Sequence, residues 1–563
     1  MCNRYPARSA VSRHPLSLVA FAALLAACAP GDERGQEPPP PGGRAQDPAY
    51  RLGEVSFPVS CSEEVQSDFD RAVALLHSFE FEESRGVFSS IAHRDPDCAM
   101  AYWGVAMTYY HPLWAPPTQR DLELGRAAVE KAQALARPKP EADYIEAIAT
   151  FYRGYEEIDH RTRARAYEGA MATVHKRNSE DREAEIFYTL AILSNADPTD
   201  KTYSVQERTG SALERLFVEM PNHPGLAHYI IHSYDYPPLA PRAVEAAHRY
   251  LEIAPSLPHA VHMSSHIFTQ VGMWEASIGA NTTSAESAPE RGERLGTHAQ
   301  AQLQEMHSLD YLVYAYLQRG EDDKAWDVVE HIRSLEGLNW ANGVVAFNAG
   351  AVPVRYAFER RRWEEAASLP PPTEAEQAGG NYETRGVVAL RYWARAVGAA
   401  RSGQIEQSER ELARLEEIAA ELGKHPVAWA RNTGEVLRLE AVAWLALAKG
   451  EPERALDLMR SAAALEDETD KSSLSPGRVL PVHEQLGDLL MELGRPEEAL
   501  RAYEASLEHA AGRFWSYYGA ATAARADGKL EVARAYYQRL VELAVPGSPR
   551  QELKEARDFL AAA

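Results

Sequence analysis

The chain of 563 residues is 45% apolar and carries a formal net charge of −23, so it has ample material for a buried core. The acidic balance excludes nucleic acid and anionic membrane surfaces as main partners, because no basic stripe offsets it. Beyond the N-terminal region no long apolar run occurs, which excludes a membrane-spanning helix in the mature protein.

Residues 1–27 have the features of a secretory signal peptide. Basic residues precede the short apolar stretch 16–27, and Cys28 follows it. The ending Leu25-Ala26-Ala27-Cys28 resembles the bacterial lipobox, whose cysteine receives the lipid. The resemblance implies a lipid anchor at Cys28 in the bacterial cell envelope, and Ala29 favours the outer membrane. The alternative is a short anchor helix, but the apolar stretch is too short to span a bilayer.

The next segment, 28–60, is rich in proline, glycine and charge, as in the run PPPPGG at 38–43. Such a composition buries too little apolar surface to fold, and it predicts a disordered tether between lipid and body.

Two cysteines remain for pairing once Cys2 leaves with the signal and Cys28 carries lipid. Cys61 precedes the first predicted helix and Cys98 opens the third. In an oxidising compartment they predict a disulfide that clamps the first helical hairpin. Two free thiols are the alternative.

From residue 62 onward, apolar residues recur at helical spacing with almost no alternating β-pattern, which predicts an all-α body. Similar turns recur along it: the turns GRPEEA at 494–499 and GKLEVA at 528–533 start 34 residues apart. Related turns start at Gly272, Gly320, Gly403 and Gly450, and the segment at Arg362 supplies one without glycine.

A helix–turn–helix period of this length, with glycine at the turn and alanine five residues later, resembles the tetratricopeptide repeat (TPR). Glycine permits the tight helix end, and alanine lets two helices approach closely. The match is best at 481–545 and at 72–96. The resemblance implies a superhelical solenoid of about ten to twelve antiparallel helical hairpins, whose first helices line a concave face.

Proline- and glycine-rich loops interrupt this repeat of helix, turn and helix. The segment 369–380 contains Pro370-Pro371-Pro372 and Gly379-Gly380, and it is the best candidate for a boundary. We therefore expect an N-terminal TPR-like array at 61–368, with a histidine-rich concave face, and a C-terminal TPR array at 381–550.

Nine of the nineteen histidines fall between His223 and His307. Most of them recur three, four or seven residues apart, so they share helix faces. Three helices are predicted, at about 224–236, 258–271 and 298–318, and they resemble the first helices of consecutive repeats, which pack about 8–10 Å apart. The predicted metal ligands are His228, His232, Asp235, His262, His266, His307 and Asp310.

A pair of histidines at i and i+4 can bind one divalent cation, and two pairs on adjacent helices strengthen the prediction. Imidazole ligands suit divalent zinc, copper, iron or nickel, and the spacing does not choose among them. Four further side chains are predicted to contact a ligand at the edge of the site: His259, Tyr311, Glu185 and Tyr188. By contrast, His77 is isolated and is predicted to be an ordinary surface or packing residue.

Two other interpretations of the histidines stay open. They line a groove that grips a peptide or small ligand, or they are hydrogen-bonded structural residues of the core. The chain has no phosphate-binding glycine loop, no Gly-x-Ser-x-Gly elbow and no His-Glu-x-x-His motif, which removes the commonest signatures of NTPases and hydrolases.

The runs DCAMAYWG at 97–104, HYIIHSYD at 228–235 and PHAVHMSSHIF at 258–268 resemble those of large bacterial envelope TPR proteins, mostly without assigned activity. The resemblance implies a repeat scaffold and no particular reaction. We expect a lipid-anchored scaffold that binds a protein or peptide partner in its groove and holds a transition metal. The alternatives are a metalloenzyme whose ion activates water or oxygen, and a metal-free interaction module.

Overall fold

The structure is a computed structural model that describes residues 50–113, 116–135, 137–378, 381–471 and 475–562. Within these residues it contains 26 α-helices, one short 3₁₀-helix (Ala240–Ala243) and no β-strand, which confirms the predicted all-α class. The predicted signal peptide and Cys28 lie outside the described residues.

Twelve helical hairpins follow one another through the described chain. The two helices of each hairpin pack together, and the first helices of consecutive hairpins also pack together at most steps, as in a stacked helical repeat. The first six hairpins are α1 (Glu63–His77) with α2 (Phe81–Arg94), α3 (Ala99–Met107) with α4 (Gln119–Ala134), α5 (Lys139–Tyr152) with α6 (His160–Arg177), α7 (Arg182–Ser194) with α8 (Ser204–Glu219), α9 (Pro224–Tyr234) with α10 (Val244–Ile253), and α11 (Pro258–Gln270) with α12 (Trp274–Leu295).

The other six hairpins continue the same packing, and the two remaining helices are the short α17 (Glu374–Ala378) and the final α26 (Gln551–Ala562). The hairpins are α13 (His298–Gln318) with α14 (Asp322–Ser334), α15 (Gly343–Phe358) with α16 (Trp363–Ala367), α18 (Tyr382–Arg401) with α19 (Ile405–Leu422), α20 (Ala428–Ala448) with α21 (Pro452–Asp467), α22 (Val482–Glu492) with α23 (Pro496–His509), and α24 (Phe514–Ala526) with α25 (Leu530–Leu543).

The turns within hairpins need a left-handed backbone. Gly494 and Gly528 supply it with φ of +70° and +76°, because glycine has no side chain to clash there. At the turn between α15 and α16 the non-glycine Arg361 takes φ +54°, a conformation that costs about 1–3 kcal/mol. Its guanidinium lies 2.8 Å from both Glu484 and Asp488, and these ion pairs offset the strain.

The predicted tether extends too far, because residues 50–60 pack on the body. Leu52 and Phe57 are buried, and the Phe57 ring centroid lies 5.5 Å from that of Trp103. The Ser60 hydroxyl donates to the Glu141 carboxylate at 2.8 Å. The rest of the predicted tether, 28–49, lies outside the described residues.

The predicted Cys61–Cys98 disulfide is present, with a Cα–Cα distance of 4.9 Å. It joins the segment before α1 to the residue that precedes α3, so it closes a loop around the first hairpin, as the sequence indicated.

The predicted boundary at 369–380 does not separate two cores. The described residues fall in one compact unit, and a single hydrophobic cluster contains Phe358 and Leu369 together with Val387 and Trp393. The Phe358 and Trp393 rings stack at 4.3 Å. Because α15 packs directly on α18, the proline-rich segment connects two neighbouring repeats inside one array rather than linking domains.

Residues distant in sequence meet at the C-terminal hairpins. The Trp274 indole N–H donates to the Gly512 carbonyl at 2.8 Å, and the Arg513 guanidinium donates to the Tyr314 hydroxyl at 3.0 Å. The segment between α21 and α22 also reaches back, since the Lys201 ammonium lies 2.5 Å from Asp470. The faces of α11 and α13 that carry the histidines are buried. In the part of the chain that the structure describes, none of the helices combines the length and apolar character that a bilayer crossing requires.

Candidate metal centre

Three neighbouring first helices carry the clustered histidines. α9 packs against α11, and α11 packs against α13, as the sequence predicted for consecutive repeats. Five of the six histidines on the predicted faces are buried, and His232 is nearly so: α9 carries His228 and His232, α11 carries His259, His262 and His266, and α13 carries His307. The histidines of the predicted concave face are therefore buried in this structure and do not line an open groove.

Three of these rings, His262, His266 and His307, form what we call the histidine centre. One ring nitrogen from each lies within 4.8 Å of the others. The ring centroids of His262 and His307 are 4.4 Å apart, and those of His262 and His266 are 5.0 Å apart. Side chains one turn apart on α11 thus meet a third ring from α13.

The hydrogen bonds of His262 and His266 fix their tautomers. His266 Nδ1 donates to Asp235 Oδ2 at 2.9 Å, because a carboxylate only accepts. His262 Nδ1 donates to Asn281 Oδ1 at 2.7 Å, and the Asn281 amide is oriented by its own donation to the Ser277 carbonyl. Both rings therefore carry their lone pair on Nε2.

These two Nε2 atoms face each other at 3.1 Å. Two lone pairs at this distance repel unless a cation lies between them. Nitrogen ligands bound to one tetrahedral zinc ion at about 2.05 Å are about 3.3 Å apart, so the geometry is close to that of a chelating pair.

Burial favours a metal over a shared proton as that cation. It lowers the pKa of His232 to about 3 and of His259 to about 4, and it also lowers the pKa values of His228, His262, His266 and His307. The rings are therefore neutral near pH 7, which is the form that binds transition metals.

Asp235 supports the centre without joining it. Its carboxylate accepts from His266 and, at 3.1 Å each, from Lys471 and Gln270. Although burial alone would raise the pKa of Asp235, Lys471 and His266 lower it below its usual range. An ionised carboxylate on Nδ1 orients the ring and raises the basicity of Nε2, as partners of metal-binding histidines do. Asp235, which the sequence predicted to bind the metal directly, thus orients the ring of His266 instead.

His228 and His232 form a second pair on α9. His228 Nδ1 donates to the His77 carbonyl at 2.7 Å, which leaves its Nε2 to accept from His232 Nε2 at 3.1 Å. Since His232 is free to donate here, this pair is satisfied without a cation. Phe79 and His259 pack on the His228 ring, with centroids at 4.5 and 5.3 Å.

Asp310 is not available as a metal ligand. Both of its carboxylate oxygens accept from the Arg355 guanidinium, at 2.9 and 3.3 Å, and both side chains are fully buried. The spacing from His307 correctly placed Asp310 on the same helix. It could not show that Arg355, on α15, pairs with Asp310.

The four predicted edge residues divide into two groups. Tyr311 packs against the histidine centre, with its ring centroid 4.9 Å from those of His262 and His266, and His259 lies beside His228. Glu185 pairs with arginines near the surface, and Tyr188 stacks on His175 at 5.8 Å, so the structure shows neither of them at the site.

Sequence reasoning missed a buried network beside the centre. His77 is fully buried, and its Nε2 donates to Glu183 at 2.9 Å while its Nδ1 accepts from the Tyr229 hydroxyl at 2.9 Å. His223 Nε2 donates to the other Glu183 oxygen at 2.9 Å. His77 had no helical partner in sequence, since Glu183 lies 106 residues away.

Lys471 and Asn281 were also missed. Both reach the histidines from segments without a histidine pattern, and only their hydrogen bonds to Asp235 and His262 identify them. No signal in the sequence would have found Lys471, because it lies 236 residues from Asp235.

Comparisons with known proteins identify one tetratricopeptide repeat in this chain. A tetratricopeptide repeat family model matches residues 480–510, which contain α22 and α23. No protein of curated function matches the sequence. Among solved structures, human IFIT1 as a dimer with m7Gppp-AAAA aligns at 12% identity over 86% of this chain and 96% of that chain, with a TM-score of 0.36. Yeast Tom70 aligns at 11% identity over 89% and 95%, with a TM-score of 0.30. By the family match the chain contains a tetratricopeptide repeat, and by the packing of its own helices that repeat lies within an all-α helical-repeat fold.

Proposed function

We propose that this protein is a helical-repeat scaffold whose histidine centre holds one divalent transition-metal ion. The observation that carries the proposal is the pair of Nε2 lone pairs of His262 and His266, which face each other at 3.1 Å in a site where burial lowers the pKa of both rings. A metal ion resolves this conflict without protonating either ring.

The ligands would be Nε2 of His262, Nε2 of His266 and a ring nitrogen of His307. Asn281 and Asp235 hold the first two rings in the required tautomer. Zinc, copper, iron and nickel all suit imidazole ligands. Because the ligands come from α11 and α13, the bound ion would tie two consecutive repeats together.

Metal content tests the proposal. We expect the mature chain, purified without a histidine tag and offered zinc, copper, iron and nickel in turn, to retain about one equivalent of at least one metal after gel filtration. The double variant His262→Ala, His266→Ala should retain none, as measured by inductively coupled plasma mass spectrometry.

The matched control is His298→Ala, because His298 lies on α13 with a side chain that is 70% exposed. This variant should bind metal like the unmodified chain. A wild-type chain that stays metal-free after all four metals would leave the histidines as a neutral structural network. A double variant that folds and still binds one equivalent would place the site elsewhere.

A second candidate function is metal-assisted catalysis, and one cavity favours it. A cavity of about 70 Å³ is lined by Gln270 and Lys471, which both donate to Asp235 beside His266. Three histidine ligands leave a fourth position for water, as in zinc enzymes. The cobalt-substituted protein distinguishes the two functions: an exchangeable water ligand seen by electron–nuclear double resonance supports catalysis, and a closed four-ligand spectrum supports the bracing role.

The cellular setting remains part of the proposal. We place the scaffold in the bacterial envelope, anchored through lipidated Cys28 to a membrane for which Ala29 favours the outer one, with a protein or peptide partner on its repeat surface. The partner would not dock on the histidine face, because that face is buried. Radiolabelled palmitate should label the full-length chain and not its Cys28→Ser variant. Equal labelling of both would refute the anchor.

A further inference from the structure

Two histidines and a carboxylate converge where three successive helices meet, outside the histidine centre. Asp467 is the last residue of α21, His483 is the second residue of α22, and His509 is the last residue of α23. One possible ligand atom from each of the three lies within 4.8 Å of the others. Their side chains are 43%, 16% and 53% exposed, in that order. We call this group the surface triad.

The Asp467 carboxylate contacts both rings of the surface triad. His483 Nε2 donates to its Oδ1 at 2.9 Å and to its Oδ2 at 3.1 Å. His509 Nε2 lies 3.5 Å from the same Oδ1, which is longer than the about 2.7–3.2 Å of an ordinary N–H···O hydrogen bond. The two rings are nearly parallel, with 12° between their planes and 5.9 Å between their centroids. Both Nε2 atoms are therefore near one carboxylate oxygen.

These distances suit one shared divalent ion. Ligand atoms bound at about 2.05 Å to one ion lie about 2.9 Å apart at octahedral angles and about 3.3 Å apart at tetrahedral angles. The two nitrogens lie 2.9 and 3.5 Å from Asp467 Oδ1, so small side-chain rotations bring them into this range. An ion pair with Asp467 needs only one histidine. The second histidine, from another hairpin, completes a set of ligands that zinc, copper, iron and nickel accept.

The local charges also favour a cation. Although burial alone would raise the pKa of Asp467, the hydrogen bond from His483 lowers it, so this carboxylate is ionised at neutral pH. Two basic side chains of the adjoining cavity wall, Lys201 and Arg478, lie within 3.3 Å of carboxylates other than Asp467. Asp467 is thus the charged group that an arriving cation would meet.

The surface triad lies on the same cavity as the groups that support the histidine centre. Asp467 and His509 line this cavity of about 70 Å³, and so do Gln270 and Lys471, which donate to Asp235. The triad is at the exposed part of the cavity wall. It shares no side chain with the histidine centre.

We propose that the surface triad is a second binding site for a divalent transition-metal ion, held by the Asp467 carboxylate and by Nε2 of His483 and His509. The other coordination positions would hold water, because the triad is exposed to solvent. The ion would therefore exchange readily and be lost on gel filtration. This goes beyond the proposed function, because the triad has its own ligands and would bind an ion even if the histidine centre held none.

The test is a zinc titration of the whole mature chain with zinc present throughout. Diethyl pyrocarbonate modifies exposed neutral imidazoles, and mass spectrometry reads each histidine separately. Burial alone would lower the pKa of His483, but Asp467 raises it, so a proton competes with the ion and the titration is made at about pH 8. Zinc at about ten times its Kd should slow the labelling of His483 and His509 by about tenfold, with one common midpoint.

His331 is the control within the same chain. It is 47% exposed and contacts Glu305 at 3.0 Å, so it forms a similar pair that contains a single histidine. Zinc should leave its labelling unchanged. Unchanged labelling of His509 at millimolar zinc, or protection of His331 equal to that of His509, would overturn the proposal.

Variants separate a shared ion from a plain ion pair. His509→Ala and Asp467→Asn should each weaken the zinc protection of His483 by at least about tenfold, since even an outer partner of a metal ligand contributes that much. The control Glu305→Gln should behave like wild type. Full protection of His483 in a folded His509→Ala protein would also refute the site.

The outcome is independent of the histidine centre. The double variant His262→Ala, His266→Ala should keep the zinc protection of His483 and His509. Conversely, His509→Ala should not change the metal that the chain retains after gel filtration. Loss of the His483 and His509 protection in a folded double variant would show that the triad is not a separate site.

Discussion

At the scale of single residues, the interior of this protein contains buried charged side chains that are paired with one another. Arg355 and Asp310 are both fully buried, and Arg355 donates further hydrogen bonds to Ser475 and to the carbonyls of Gly477 and Arg478. A buried charge is tolerated only with such partners, since desolvation costs several kcal/mol, about what the pairing returns. Arg355 thereby fastens the segment before α22 to α13.

Removal of the Asp310 charge tests this role. Asp310→Asn leaves Arg355 as a buried, uncompensated cation, and we expect the free energy of unfolding to fall by about 3–5 kcal/mol. Urea denaturation followed by circular dichroism measures it. The control Glu497→Gln breaks an exposed pair with Arg501 and should cost at most about 1 kcal/mol. Equal losses in the two variants would contradict the account.

Glu440 predicts a pH dependence of stability. Burial and Glu466 raise its pKa in the folded chain, whereas the unfolded chain releases the proton above about pH 4.3. Between these two values the folded state binds more protons, so the free energy of unfolding falls as pH rises, by up to about 1.4 kcal/mol per unit. Arg478, Gln485 and Trp393 lower the pKa of this carboxyl but do not reverse the direction.

We therefore expect Glu440→Gln to be more stable than wild type at about pH 7 and to lack this part of the slope. Urea denaturation between about pH 5 and pH 8 compares the two. The control Glu435→Gln changes a 44% exposed carboxylate on the same helix and should keep the wild-type slope. A Glu440→Gln slope equal to that of wild type would show that this carboxyl is ionised in the folded chain.

At the scale of helices, the sequence located the elements of the site well. The histidine-bearing helices were predicted at about 224–236, 258–271 and 298–318. They are found at Pro224–Tyr234, Pro258–Gln270 and His298–Gln318. Proline at the first position marks two of these starts, because it lacks the N–H that a helix leaves unpaired there. Residue spacing could not identify the hydrogen-bond partners of the site. Asn281, which accepts from His262, and Lys471, which donates to Asp235, come from other segments of the chain.

The first hairpin gives an element-scale prediction. The Cys61–Cys98 bridge spans 37 residues, and loop-closure entropy for such a loop corresponds to about 4 kcal/mol. The double variant Cys61→Ala, Cys98→Ala should lose up to that amount, with hydrogen exchange rising first in α1 and α2. Dithiothreitol should destabilise wild type and leave the variant unchanged. A variant as stable as the oxidised wild type would mean that packing alone holds this hairpin.

At the scale of the whole molecule, repeats that are distant in sequence contact one another, and the predicted boundary at 369–380 does not divide the array. Gly272 and Gly512 meet where α11 ends and α24 begins, and a Cβ at Gly512 would come within 3.0 Å of the Gly272 Cα. The Trp274 hydrogen bond to the Gly512 carbonyl lies at the same point. Such a backbone approach leaves no room for a side chain.

Gly512→Ala should therefore destabilise the protein more than the matched variant Gly494→Ala. Both glycines have φ of +70°, so the backbone strain of an alanine is the same in both variants, about 1–2 kcal/mol. The variants differ in the space for the added Cβ, because nothing lies within 4 Å of it at Gly494. Differential scanning calorimetry should give a lower Tm for Gly512→Ala, and hydrogen exchange should rise in both α12 and α24. The same Tm for both variants would show that the two regions do not depend on this contact.

The sequence by itself determined the helical-repeat class, the glycine turns, the first disulfide and the helix faces that carry the histidines, because all of these are local or depend on periodic spacing. Only the tertiary structure decided that Asp310 belongs to Arg355, that Asp235 orients His266, and that His77 shares Glu183 with His223. These assignments depend on hydrogen bonds between side chains from different parts of the chain. Residue spacing does not show which partner a given ring nitrogen or carboxylate faces.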